Sequence, residues 1–217
     1  CLPIKAAPEQ AVLDWMAAIG GVGRDGLLRK MTQKDLKKWM KDHPGYRSFT
    51  VLRHPVKRAY VAFCRYILPD DRPAYAAPRK ILRQRYKLPI PGTTPGEHWT
   101  AEQQKAGFAA FLEFLKLNLA GQTSLRIDAA WASQTAILQG IGEVAQPHHL
   151  LREEEMATAL PDLARAVGVQ DAPEPRAEGL PGAVPLSRIH DGKIEKAAID
   201  IYRRDYLTLG FPRWNRM

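Results

Sequence analysis

The chain has 217 residues, with 32 Lys and Arg against 23 Asp and Glu, a formal net charge of +9 with His neutral. Hydrophobic (45%) and charged (25%) fractions near the globular average exclude a disordered tail, a collagen and a coiled coil. The length suits one domain with its own core, so a single domain over residues 1–217 is expected. No apolar run approaches the roughly 20 residues that span a bilayer, and the first residues lack a signal-peptide pattern. The chain begins with Cys1 rather than Met, which suggests a processed product or a fragment. Two cysteines, Cys1 and Cys64, are too few for a disulfide-stapled secreted domain, and no Cys/His cluster suggests zinc. A reduced, cytoplasmic setting without a metal is expected. The charge points to an anionic partner: nucleic acid, a membrane surface or a phosphate-rich ligand.

In chain order, Cys1 to Lys5 reads as a short strand, and residues 6–10 read as a turn. From Ala11, the apolar residues Val12, Leu13, Trp15, Met16 and Ile19 recur at helical spacing, ending at Gly20-Gly21. Met31 to Met40 is a second helix with Thr32 as N-cap. Ser48 to Leu52 is the clearest strand, ending in Arg53-His54-Pro55, and Val56 to Tyr66 reads as a helix. Two strand–turn–helix units imply an α/β fold with a parallel sheet. Residues 69–99 carry six prolines and the basic run Arg79 to Lys87, and read as a surface insertion with one short basic helix. Thr100 and Gln103 form a capping-box pattern ahead of a helix reaching Leu119. Ile137 to Gly142 reads as a short strand or turn, and His149 to Val167 contains a helix. Residues 170–185 read as a Pro/Gly-rich loop, and Asp191 to Leu207 as the last helix.

Two stretches carry chemistry. A strand feeding a helix through a tight turn presents backbone N–H groups and the helix dipole to an anion, and Lys5 at the strand end adds a point charge. The alternative is an ordinary strand-edge lysine. In the second stretch, the guanidinium of Arg53 lies at the carboxyl edge of the sheet, where open α/β sheets bind ligands. Arg53 and Arg58 suit bidentate phosphate binding; the alternative is a pair of surface arginines.

Taken in order, these stretches resemble the sulfotransferases that use 3′-phosphoadenosine 5′-phosphosulfate (PAPS), specifically the carbohydrate type. Pro3-Ile4-Lys5-Ala6-Ala7-Pro8-Glu9-Gln10 is similar to the family's 5′-phosphosulfate turn, although Ile4 separates the Pro-Lys pair. Arg53, Pro55, Arg58 and Phe63 match its 3′-phosphate segment, with Val61 in the serine position. Asp128, Trp131 and Gln134 match a third motif, with Ala130 where histidine is expected. Leu150 to Glu154 matches a fourth. Tyr202, Asp205, Tyr206 and Phe211 match the terminal pattern.

The resemblance implies a P-loop-like three-layer fold, a central parallel sheet flanked by helices. It implies transfer of a sulfuryl group from PAPS, the donor, to a hydroxyl of a carbohydrate-type acceptor. Cofactor contacts fall on Lys5, Ala6, Ala7, Pro8, Gln10, Arg53 and Arg58. Lys5 and Glu9 are the catalytic candidates, Glu9 as general base or simply a first-turn acid. His54, His148, His149 and His190 are weaker candidates for the base. The Arg79–Lys87 cluster is a solvated face, a lid for an acidic acceptor or a nucleic-acid contact with Tyr86 for stacking. No stable nucleic-acid partner is expected. Two alternatives stand beside the transferase: a degenerate member that only binds nucleotide or glycan, and a basic nucleic-acid-binding protein.

Overall fold

The computed structural model describes residues 1–28, 31–179 and 184–214. The chain is mixed α/β, mostly helical, with one two-stranded parallel sheet. It divides into two compact units, Cys1–Arg53 with Ala136–Glu178, and His54–Thr135 with Gly179–Met217.

The first unit holds the sheet. Strand β1 (Phe49–Leu52) pairs in parallel with β2 (His149–Arg152), Phe49 opposite His149 and Leu52 opposite Arg152. Residues two apart on a strand share a face. Phe49 and Val51 therefore point together, and they pack with Ala11, Val12 and Trp15 of helix α1 (Glu9–Ile19) and with Met156, Leu160 and Ala164 of helix α7 (Met156–Ala166). Helix α2 (Gln33–Asp42) also belongs to this unit and buries none of its residues.

The strand expected at Cys1 to Lys5 is an extended segment bonded to β1. Leu2 N–H donates to the Phe49 carbonyl (2.9 Å), and the Thr50 hydroxyl donates to the Leu2 carbonyl (2.7 Å). His149 N–H donates to the Ser48 carbonyl (3.0 Å). Successive carbonyls of a strand point to opposite edges. The Leu2 segment therefore flanks β1 on the edge away from β2.

The second unit is helical: α3 (Pro55–Ala62), α4 (Ala76–Gln84), α5 (Ala101–Leu119), α8 (Leu186–Ile189), α9 (Gly192–Ile201) and α10 (Arg203–Thr208). Helix α3 runs into a π-helical turn over Phe63–Ile67. Phe63 packs against Phe108 and Phe111 of α5, centroids 5.8 and 5.6 Å apart. A Cβ on Gly107 would sit 3.0 Å from the tip of the Phe63 ring, so a larger residue there needs the ring to give by a few tenths of an ångström. The capping box at Thr100 and Gln103 is formed.

Two expectations of secondary structure change. Residues 137–142 lie in helix α6 (Gln134–Gly142) rather than in a strand or turn. The helix expected within 149–167 is α7, and β2 precedes it. The last helix is two, broken at Tyr202. Within the insertion, Arg79 is not a surface cation. It is buried, and donates to the carbonyls of Ile67 (3.0 Å), Gly92 (2.8 Å) and Pro91. This pins the Pro-rich loop onto the end of the π turn.

Candidate functional site

The turn after Ile4 folds back tightly. Ala6 takes a left-handed backbone (φ +64°), Ala7 N–H donates to the Ile4 carbonyl (3.1 Å), and Glu9 N–H donates to the Ala7 carbonyl (2.7 Å). Ala6, Ala7 and Pro8 are buried, whereas Lys5, Glu9 and Gln10 are half-buried. Pro8 precedes α1 and fixes the backbone where the helix begins.

Arg53 reaches this turn from the end of β1. Its Nη1 donates to the Ala6 carbonyl (2.8 Å). The lysine turn and the arginine, 47 residues apart in sequence, thus meet at the carboxyl end of the parallel pair. Arg53 is 0% exposed. Nε and Nη2 grip Glu153 in a bidentate pair (2.9 and 2.8 Å), and Nη2 also reaches Glu178 (3.0 Å). Two carboxylates and a carbonyl therefore surround one guanidinium.

Glu153 follows β2 directly, so strand register delivers it opposite Arg53. Glu178 arrives on the Pro-rich segment after α7, which is tied down where Trp15 Nε1 donates to the Pro173 carbonyl (2.7 Å). Sequence reading missed both acids as ligands of Arg53. Glu153 had a signal, since Leu150 to Glu154 stood out as a motif; Glu178 had none. Arg24 was missed as well. Its guanidinium binds Gln10 and Asp14 and holds the Asp14 carboxyl below the usual carboxylate range.

Arg58 lies in the second unit, 1% exposed. It donates to the carbonyls of Ala132 and Ala129 (2.6 Å each). The other motif residues of that unit brace the same loop. Asp128 accepts from Tyr75 OH (2.9 Å) and Ala130 N–H (2.8 Å). Trp131 Nε1 donates to Asn118 (2.8 Å), and Tyr202 OH donates to the Trp131 carbonyl (2.9 Å). Asp205 accepts the N–H groups of Gln134 and Thr135 (2.8 Å each). Arg58 thus holds a loop, where the sequence placed it beside a phosphate.

The histidines have other partners. His54 Nε2 pairs with the Pro212 carbonyl (2.9 Å), His148 Nδ1 accepts from Ser48 N–H (3.0 Å), and His190 meets Glu195 (2.9 Å). Among the described residues no group of His, Cys, Asp and Glu is arranged to hold a metal. Compared with family models, curated proteins and solved structures, the chain gives no match.

Proposed function

We propose that the chain is a PAPS-dependent sulfotransferase acting on a hydroxyl of a carbohydrate-type acceptor in the cytoplasm. The observation that carries this reading is the meeting of Arg53 with the Lys5–Gln10 turn, 2.8 Å from guanidinium to carbonyl. A donor with phosphate at both ends needs two anion-binding elements within one small molecule's length. The finer fold, a P-loop-like three-layer arrangement, belongs to the same reading. The Leu2 segment on the free edge of β1 supports it.

The chemistry asks mainly for positioning and charge neutralisation. The acceptor oxygen bonds to sulfur while the bond from sulfur to the bridging phosphate oxygen breaks. The electron pair stays on that oxygen, and Lys5 neutralises it. The hydroxyl proton passes to Glu9. Ala6, Ala7, Pro8 and Gln10 shape the turn, and Arg53 meets the 3′-phosphate. Arg58 contributes by holding the loop at 129–132.

Glu178 has a specific part in this reading. With Glu153 it already neutralises Arg53, so a phosphate approaching Nη2 competes with Glu178. The same observation favours a second reading, a protein that binds nucleotide or glycan without turnover.

The test is a melting curve with 3′-phosphoadenosine 5′-phosphate. Ligand at 100 times its Kd is expected to stabilise the protein by about 2.7 kcal/mol. Lys5→Ala is expected to weaken binding about 10- to 100-fold, as for a lost charged hydrogen bond. Glu178→Gln is expected to tighten it. No shift at millimolar ligand rejects both readings, and binding without sulfuryl transfer to a saccharide leaves the second.

A further inference from the structure

The second unit holds a cavity of about 230 Å³ between two loops, and both loops are tied in place. The first runs on from the π-helical turn, which carries Cys64 and Arg65. Turns of this kind recur at functional sites. Arg79 fixes this loop to the second one. Besides its other bonds, it donates to the carbonyls of Leu68 (3.3 Å) and Thr93 (3.4 Å). Asp70 makes a second tie, its carboxylate accepting the Thr94 N–H (2.9 Å) and hydroxyl (2.5 Å). The space between the loops is therefore preformed, as small-molecule sites commonly are.

The lining is graded from inside to outside. Cys64 and Gln104 are buried at the inner end. Gln104 Oε1 accepts from Trp99 Nε1 (2.6 Å), while Nε2 donates to Tyr60 OH (2.8 Å) and lies 3.1 Å from the Cys64 sulfur. Both ends of that amide are thus engaged within the protein. Leu68, Pro69, Pro95 and the Trp99 indole supply apolar wall. The mouth is charged, with Arg65 half-buried and Asp71 and Arg72 exposed. Asp71 pairs with Arg72 (3.5 Å), so the three groups together leave a net positive charge.

We infer that this cavity binds a small aromatic anion, one or two fused rings bearing a carboxylate. The rings fill the apolar interior, and the carboxylate meets the guanidiniums at the mouth. Size sets the ring count, since an apolar cavity of about 150 Å³ holds benzene. The lining excludes other occupants. A sugar brings a hydroxyl on nearly every carbon and meets apolar wall and an engaged amide. An inorganic anion leaves the apolar wall uncovered, and a cation meets the wrong charge. The site does not rest on the transferase reading, because it contains neither Lys5 nor Arg53.

The test is isothermal titration calorimetry of the full chain with 2-naphthoate, its neutral counterpart 2-naphthamide, and acetate. Naphthoate is expected to bind, the amide about tenfold more weakly, and acetate not at all. Arg72→Gln is expected to weaken naphthoate about threefold and leave the amide unchanged, and Asp71→Asn to tighten naphthoate. Both positions are exposed, so these variants keep the parent's melting curve. Trp99→Ala is expected to weaken both ring ligands about fivefold, and Trp99→Phe to retain most of the affinity. Three outcomes overturn the inference: no binding at millimolar naphthoate, equal affinity for the acid and the amide, or loss of naphthoate binding in Lys5→Ala with Arg72→Gln unaffected, which puts the anion in the other unit.

Discussion

Arg53 has no contact with water and holds two carboxylates and a carbonyl. Burying a charge costs several kcal/mol, and the cost is offset only where the partners and their geometry are complete. Arg53→Met removes the guanidinium that Glu153 and Glu178 share and is expected to cost about 3–5 kcal/mol in urea denaturation. Adding Glu153→Gln and Glu178→Gln to that variant is expected to restore most of the loss, because the two carboxylate charges are then gone as well. A single variant as stable as the parent would show that the acids find solvent or another partner. Arg58 and Arg79 follow a related pattern, donating to the carbonyls of loops they hold in place. Sequence alone does not separate such arginines from ligand-binding ones. The side chain is the same, and only the carbonyls converging from distant residues decide its role.

Elements with local signals were legible. Thr32 as N-cap and the box at Thr100–Gln103 are local patterns, and both helices start where those patterns say. Strand β2 was not legible, because its four residues pair only with β1, far away in sequence. Helix α6 was missed for a similar reason: the N–H groups of its first residues are capped by the side chain of Asp205, some 70 residues on. At the site, the lysine turn and Arg53 were legible as a pair, whereas the partner on the Pro-rich segment was not. Helix α9 offers a test at this scale. Asp191 accepts from Lys193 N–H (3.0 Å) and Ile194 N–H (2.9 Å) and pairs with Lys105 (2.7 Å). The Lys105 ammonium, with those N–H groups, pulls its carboxyl down to about 2 from 3.8. A depressed acid stabilises above its ordinary value, and loses that effect as pH falls through the folded one. Asp191→Ala is expected to cost about 1 kcal/mol at neutral pH. In urea titrations the gap to the parent is expected to close between pH 4 and about 2.

Over the whole molecule, the +9 charge separates into internal and external parts. Arg53, Arg58 and Arg79 are interior, while the lysines of α2 are exposed. The two cysteines report on the packing. Cys64 is 4% exposed, burial pushes its thiol up to about 12, and Gln104 Nε2 lies 3.1 Å from its sulfur. Cys1 is half-buried. A thiol reagent at neutral pH is therefore expected to titrate Cys1 first, with Cys64 reacting at the rate at which its unit opens. Two fast-reacting thiols in the native protein would contradict that packing. Both units are also discontinuous, the chain leaving and re-entering each. Arg53 and Glu153 are 100 residues apart. During synthesis, the edge of β1 that takes β2 stays open until the chain as far as β2 has emerged. Such long-range closure slows folding and lengthens the interval in which an unpaired strand edge is open to other chains. The register that brings Arg53 to its acids thus lengthens the time for which the nascent chain offers that edge to its neighbours.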